Sequence, residues 1–153
     1  MRTRITLMTI LLLAAPLLAM ADEAAELKKK IMFDEKKLVV MENMQFTEAE
    51  AKGFWPVYEQ YQEKLFQNSQ HFGQLIMSYA SNYQSLTDEK AMELMDEYYK
   101  IRGERQKIMQ NYTGDLKKVL PGRKIFRYLQ VENKLEAIAR FELAKEIPLA
   151  KQQ

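Results

Sequence analysis

The chain has 153 residues, with 23 basic and 21 acidic side chains, one histidine and no cysteine. The absence of cysteine excludes disulfide bonds, thiol nucleophiles, lipid attachment through cysteine and zinc–thiolate sites. Few glycines and prolines, abundant Glu, Lys, Gln, Leu and Met, and no alternating β-branched runs indicate an all-α protein without a sheet.

The N-terminal segment predicts a secretory signal peptide. Arg2 and Arg4 precede an apolar run over residues 5–15, and a small-residue cleavage site ends at Ala21. The run is shorter than the roughly 18 residues expected of a membrane-spanning helix. We therefore expect cleavage after Ala21, a periplasmic location without stable membrane insertion, and one domain over residues 22–153.

Charge narrows the classes of partner. Because Arg2 and Arg4 lie in the predicted signal, they account for the formal net charge of +2, and the processed chain is neutral. A nucleic-acid-binding protein needs a net basic surface, so we expect no nucleic-acid partner. The interspersed acidic and basic residues are typical of solvent-exposed helix faces.

The first two helices are separated by a clear helix start. A first helix is predicted from about residue 24 to about residue 43, with Leu27 and Ile31 on its apolar side. Thr47 and Glu50 then have the spacing of a capping box, in which each side chain accepts a hydrogen bond from the backbone of the other residue. This cap begins the longest predicted helix, which ends near Ser85.

The second helix carries an apolar stripe with three- and four-residue spacing. A helix of roughly 38 residues is about 57 Å long, whereas a compact domain of about 130 residues has a radius of gyration of about 14 Å. We therefore expect an elongated molecule, with Pro56 as a candidate kink near the helix start. The stripe consists of Phe54, Tyr58, Tyr61, Leu65, Phe72, Leu75, Ile76, Tyr79, Tyr83 and Leu86.

A second cap at Thr87 begins a third helix of about 32 residues, which ends near Val119. Because the link between the long helices is so short, they should form an antiparallel hairpin in which residues whose numbers sum to about 173 lie level. A fourth helix is predicted over residues 123–146, with apolar residues on most sides. The predicted fold is an all-α, elongated hairpin of two long helices flanked by two shorter helices.

Each long helix has a second apolar face, about 120° from its main stripe at 100° per residue. Three interpretations stay open: the first and fourth helices cover these faces, the faces form a homodimer seam, or they form an exposed groove for other protein chains. Glycine would permit close backbone approach in a seam, and thioether and aromatic side chains suit varied partners. The second faces comprise Trp55, Phe66, Gly73 and Met77 on the second helix, and Met92, Tyr99 and Gly103 on the third.

Polar residues also occur within the facing stripes. Asn68 and Arg105 satisfy the predicted hairpin register, so they should meet in a polar layer between the two long helices. We interpret this layer as structural, because a buried polar group can fix helix register at a cost in stability.

Catalytic and metal-binding patterns are weak. His71 is the only histidine, and its helical angle places it opposite the apolar stripe. No Ser-His-Asp arrangement or Glu-x-x-His pair can be built around it, so we expect neither an enzyme nor a cofactor. Two methionine pairs, Met41 with Met44 and Met92 with Met95, have a spacing that could bind Cu(I), but we interpret them as packing residues and predict no metal site.

The order of parts resembles the Spy/CpxP family of bacterial periplasmic helical proteins, which carry two Leu-Thr-x-x-Gln motifs at helix starts. Here the first start reads Phe46-Thr47-Glu48-Ala49-Glu50, which keeps the Thr, and the second reads Leu120-Pro121-Gly122-Arg123-Lys124, which keeps the Leu. The FWPVYEQY and RYLQVENKLEAIARFELAKEIPL segments are similar to those of an uncharacterised exported subgroup.

The resemblance implies a thin, cradle-shaped homodimer that acts as an ATP-independent chaperone, with unfolded or partly folded proteins of the cell envelope as partners. The alternative that it implies is an exported regulator of an envelope-stress sensor kinase. A metal-sensing branch of the family uses histidines near its termini, and this chain has none there.

Overall fold

The computed structural model describes residues 26–151, and every regular element in this range is helical. The prediction of an all-α fold, with two long helices flanked by shorter ones, is confirmed. The predicted signal peptide and its cleavage site lie outside the described residues. In chain order the elements are α1 (26–44), α2 (Glu48–Asn82), a 3₁₀ turn (Tyr83–Ser85), α3 (Asp88–Leu116) and α4 (Gly122–Glu146).

The chain divides after Glu42 into two compact units. The first unit contains α1 up to Glu42, and its apolar side chains Leu27, Ile31 and Leu38 are 59, 49 and 58% exposed. The second unit begins at Asn43 and contains the end of α1, the hairpin of α2 and α3, and α4. The residues that hold the hairpin together all belong to this second unit.

The start of α2 is fixed by local hydrogen bonds. Thr47 Oγ1 accepts a bond from the Glu50 backbone N–H at 3.3 Å, and Glu50 Oε2 accepts one from the Thr47 backbone N–H at 2.8 Å. These bonds satisfy amide groups that have no partner within the helix. A hydrogen bond from Lys124, together with the Thr47 bond, holds the pKa of Glu50 below its usual range. The cap therefore also ties α2 to α4.

Both long helices end earlier than the apolar pattern suggests. α2 gives way after Asn82 to the 3₁₀ turn, and Leu86 is extended with ψ 117°. α3 ends at Leu116, after which Lys118 and Val119 donate backbone hydrogen bonds three residues back, at 3.1 and 3.0 Å. Apolar spacing continues through such tight turns, so spacing alone overestimates helix length.

The hairpin packs through the two facing stripes. The rings of Tyr61 and Tyr112 are stacked, with centroids 3.8 Å apart and planes 3° apart, and the ring of Phe72 lies 6.2 Å from that of Tyr98. Both pairs fall close to the predicted register of the antiparallel hairpin. The short link after α2 and the Thr87 cap therefore set which side chains meet.

α4 runs along the hairpin in the same direction as α2. Near its start, Lys124 forms an ion pair with Glu50 in the first turn of α2. Beyond its end, the Tyr79 hydroxyl donates to the Pro148 carbonyl oxygen at 2.9 Å. The buried residues of α4 are all in its first half, namely Ile125, Tyr128 and Glu132.

The glycines of α2 differ in their surroundings, which gives a test of this packing. A Cβ on Gly73 would meet nothing within 4 Å, whereas a Cβ on Gly53 would lie 3.1 Å from the Val119 Cβ. Because alanine is the better helix former, Gly73→Ala should raise the free energy of unfolding by about 0.5–1 kcal/mol, and Gly53→Ala should gain less or lose stability. Urea unfolding followed by circular dichroism measures both. Equal gains would contradict the close approach of Val119 to α2.

Candidate functional site

A buried tyrosine cluster joins α2, α3 and α4, and we define it as Tyr58, Tyr61, Tyr112 and Tyr128. The ring of Tyr128 lies 6.3 Å from Tyr58 and 5.6 Å from Tyr112, and Tyr128 is fully buried. Its hydroxyl donates to Glu132 Oε2 at 2.8 Å, and Glu132 is only 1% exposed. The cluster therefore holds a carboxylate within the apolar core.

Burial dominates the acid–base properties of the cluster. It raises the pKa of Tyr58, Tyr61 and Tyr112 above the usual range of a phenol, and the charge of Glu132 raises each further. The hydroxyl oxygens of Tyr58 and Tyr61 are buried and make no hydrogen bond to any described residue. These phenols stay protonated near neutral pH, so the cluster is built for packing rather than for proton transfer.

Asn68 and Arg105 were predicted to meet, but they bond to different partners. Asn68 Nδ2 donates to the Ile101 carbonyl oxygen at 3.0 Å, which links α2 to α3. Arg105 Nε donates to Glu136 Oε1 at 2.8 Å, which links α3 to α4. Partial burial raises the pKa of Glu136, but the bond and charge of Arg105 lower it overall. The polar layer thus fixes contacts among three helices, not only within the hairpin.

The other polar candidates lie at the surface. The side chain of His71 is 56% exposed, and its Nδ1 lies 3.9 Å from a carboxylate oxygen of Glu104. Thr87 Oγ1 accepts a hydrogen bond from the Lys90 backbone N–H at 3.2 Å, as a helix cap does. Within the part of the chain that the structure describes, no group of three or more His, Asp or Glu side chains could hold a metal ion.

The methionine pairs have unequal environments. Met41 is 50% exposed and Met44 is 2% exposed, whereas Met92 and Met95 are 54 and 41% exposed. Two thioethers can ligate one Cu(I) only if both reach it. Met92 and Met95 are the accessible pair, and Met92 also belongs to the second apolar face of α3.

The residues on the second apolar face of α2 differ in how deeply they are buried. Trp55, at the start of the helix, is half-buried, and its ring lies 5.0 Å from Phe54 and 5.4 Å from Tyr58. Phe66, further along the helix, is also half-buried. Trp55 therefore packs into the aromatic core at the α2 start, although it shares a helix face with the exposed Met77.

The rest of the second face is exposed in two strips. The α2 strip consists of Gly73 and Met77, and Met77 is 71% exposed. The α3 strip consists of Met92, Tyr99 and Gly103; Met92 and Tyr99 are 54 and 63% exposed. These positions point away from the partner helix, because they lie roughly 120° or more from the facing stripes. Both strips therefore lie outside the contact between α2 and α3.

α4 adds exposed apolar side chains that the sequence had not assigned to a binding surface. Phe126, Ile138 and Phe141 are 65, 63 and 65% exposed. The distribution of apolar residues around most of the α4 wheel was the available signal, because one helix face cannot bury all of them. The apolar surface of the second unit therefore includes α4 as well as the hairpin.

No protein-family model, curated protein or solved structure matches the chain. The resemblance to the Spy/CpxP family therefore stays a prediction. Within residues 26–151, no helix combines the length and the apolarity needed to cross a bilayer.

The buried tyrosine cluster makes a testable contrast between two hydroxyl groups. Tyr128→Phe removes a donor to a buried carboxylate and should lower the free energy of unfolding by about 2 kcal/mol. Tyr61→Phe removes a buried hydroxyl without a protein partner, so its effect should be within about 0.5 kcal/mol or stabilising. Urea unfolding of both variants, with Tyr99→Phe as the exposed control, measures the difference. A larger loss from Tyr61→Phe than from Tyr128→Phe would contradict this description of the cluster.

Proposed function

We propose that the chain is an exported, ATP-independent chaperone-like protein that binds unfolded or partly folded protein segments. The observation that carries the proposal is the exposure of Met77, Met92 and Tyr99, each more than half accessible at 71, 54 and 63%. Large apolar side chains that are exposed to solvent at neighbouring positions are typical of surfaces that contact other proteins. Methionine and tyrosine also suit varied partners, because thioethers adapt their shape and phenol rings combine apolar area with a polar end.

The arrangement of the strips favours short, extended clients. A dedicated partner with one rigid surface would be matched by a continuous apolar patch, whereas the α2 strip has one large apolar side chain and the α3 strip has two. Each strip is narrow, so one unfolded segment would bury little area on it and would bind weakly. Weak binding permits release without an energy source, and the sequence contains no GxxxxGKS loop for ATP.

The surroundings of the two strips differ in charge. Residues 65–87 of the α2 side contain no Asp, Glu, Lys or Arg, whereas the α3 strip lies among charges of both signs. On α3, Lys90 pairs with Glu93 at 2.7 Å, and Lys100 lies 3.6 Å from Glu97. Exposed charges of this kind keep a complex soluble, and they contact polar parts of a client without a strong preference for one sign.

The proposal is tested by suppression of aggregation. The client is α-lactalbumin, which aggregates when its disulfide bonds are reduced; the reductant leaves this cysteine-free chain unchanged. In several-fold excess and without ATP, the wild type should lower light scattering by the client. Replacement of both Met77 and Tyr99 by Ser should raise the concentration needed for half-protection roughly ten-fold, because two apolar contacts are lost.

A matched control separates the hairpin strips from exposed apolar area in general. Leu27 and Ile31 on α1 are exposed to a similar extent, at 59 and 49%, so Leu27→Ser with Ile31→Ser removes comparable surface elsewhere. This control should protect as the wild type does. Equal loss in both double variants, or no protection by the wild type, would contradict the assignment. Tight capture of one envelope protein without protection of α-lactalbumin would favour the regulator alternative.

A homodimer whose seam is the α3 strip is the second candidate for this surface, in which a second copy rather than a client covers Met92 and Tyr99. Gly103 leaves open space on the α3 strip, where a Cβ would meet nothing within 4 Å, and a second copy could approach closely there. Light scattering at micromolar concentration should give twice the mass of the processed chain, and Gly103→Leu should shift the mass toward the monomer. A wild type that stays monomeric, or a variant that dimerises equally well, would remove this seam from the proposal.

A further inference from the structure

Charge is separated along the hairpin and α4. Residues 116–131 contain five basic and no acidic side chains, whereas residues 88–97 contain five acidic and one basic. These segments lie at opposite ends of α3, about 40 Å apart at 1.5 Å per residue. We call the basic segment and its turn the basal end. Although the processed chain would have no net charge, its second unit therefore carries positive charge at one end of α3 and negative charge at the other.

Two cations of the basal end are unpaired among the described residues. Lys124 forms an ion pair with Glu50, and Lys118 forms one with Asp115. Arg127 Nε donates a hydrogen bond to the Asn43 carbonyl oxygen at 2.6 Å. By contrast, the side chains of Lys117 and Arg123 are exposed and have no hydrogen bond or ion pair within residues 26–151. The basal end thus presents positive charge that the protein itself does not neutralise.

The position of Arg123 is unfavourable for the isolated helix. The first turn of α4 contains Arg123 and Lys124 and no acidic residue, and the cap residue Pro121 supplies no side-chain hydrogen bond. The free N–H groups at a helix start carry partial positive charge, so a cation there is repelled. Glu50 compensates Lys124, but nothing described compensates Arg123. An anion outside the protein would remove this repulsion.

An apolar groove adjoins these cations. It has a volume of about 310 Å³ and lies at the turn between α3 and α4. Phe126, at the groove, is 65% exposed. The combination of an exposed aromatic ring with flanking Lys and Arg is typical of segments that bind at the boundary of lipid headgroups and acyl chains. The groove residues are Lys117, Leu120, Gly122, Ile125, Phe126 and Leu129.

We propose that the basal end docks on an anionic phospholipid surface. Lys117 and Arg123, with Lys118 and Arg127 beside them, contact the lipid phosphates, and Phe126 enters the headgroup boundary. Binding is peripheral, because the apolar contribution comes from one turn. The acidic segment over residues 88–97 is repelled by the same surface, so the α3 strip is held away from the lipid. This placement would leave the proposed client-binding side chains accessible to proteins near the membrane.

The experiment measures flotation of the processed chain with lipid vesicles, after its mass has been checked for cleavage at Ala21. The wild type should bind vesicles that contain phosphatidylglycerol, should not bind pure phosphatidylcholine vesicles, and should be released at about 0.5 M salt. Removal of two charges by Lys117→Gln with Arg123→Gln should lower the partition coefficient roughly 25-fold. Equal binding to both vesicle types would overturn the proposal.

Matched variants separate the basal end from general charge and apolarity. Lys107→Gln with Lys134→Gln removes the same charge from exposed positions elsewhere and should bind as the wild type does. Phe126→Ser should weaken binding several-fold, whereas Phe141→Ser, which alters an equally exposed ring on the same helix, should not. Equal effects within either pair of variants would overturn the proposal. Poly-glutamate is the probe for an acidic polypeptide partner. If the chain binds poly-glutamate through Lys117 but does not bind vesicles, the lipid proposal is also overturned.

Discussion

The fully buried Tyr128, which contacts rings on α2 and α3, constrains how α2, α3 and α4 pack. A charge in an apolar core is costly unless it is hydrogen-bonded, and Glu132, 1% exposed, accepts the Tyr128 hydroxyl at 2.8 Å. The Tyr128 ring packs against Phe54 on α2 and Tyr112 on α3, and these ring contacts hold α4 against both hairpin helices. Both partners of the Tyr128–Glu132 bond lie on α4, four residues apart, so the bond orients the Tyr128 ring but does not set the register of α4 against its neighbours. The ion pairs of Glu136 with Arg105 on α3 and of Lys124 with Glu50 on α2 cross between helices and favour one register over others that would bury similar apolar area.

The core is concentrated at one end of the second unit. α4 has no buried residue after Glu132, and α3 has none before Ile101. The distal half of the hairpin is held mainly by the facing stripes and by the Asn68 bond to Ile101. Segments with few buried contacts open more readily than a packed core. The exposed strips thus lie on the part of the fold best able to adjust to different bound segments.

Sequence patterns predicted the helices well because their signals are local. The capping residues Thr47, Glu50 and Thr87 and the short link after α2 were sufficient for the hairpin and its approximate register. Which helix packs over each apolar face could not be predicted from the sequence. Helical spacing shows which face a side chain lies on, but not which neighbouring helix covers that face. Trp55 and Met77 share a face of α2, yet only Met77 stands largely in solvent.

Buried polar contacts were also missed, for a related reason. Arg105 fits a pairing with Asn68 by register alone, but Glu136 on α4 offers a charged partner, and an ion pair is the stronger interaction. The burial of Glu132 could have been predicted from the sequence, because Glu132 lies four residues after Tyr128 on the same face of α4 as Ile125. A carboxylate within an apolar stripe requires a buried donor. The i, i+4 spacing offers the Tyr128 hydroxyl as that donor, and the structure shows this bond at 2.8 Å.

The central claim is that the exposed strips of the hairpin contact client protein. Methyl-labelled methionines report it directly, because Met77, Met92 and Met95 are exposed whereas Met44 is 2% exposed. In a nuclear magnetic resonance titration with reduced α-lactalbumin, the account predicts shifts or broadening of the methyl signals of the three exposed methionines, with the Met44 signal unchanged. Unchanged signals from the exposed methionines at saturating client, or equal perturbation of Met44, would contradict it.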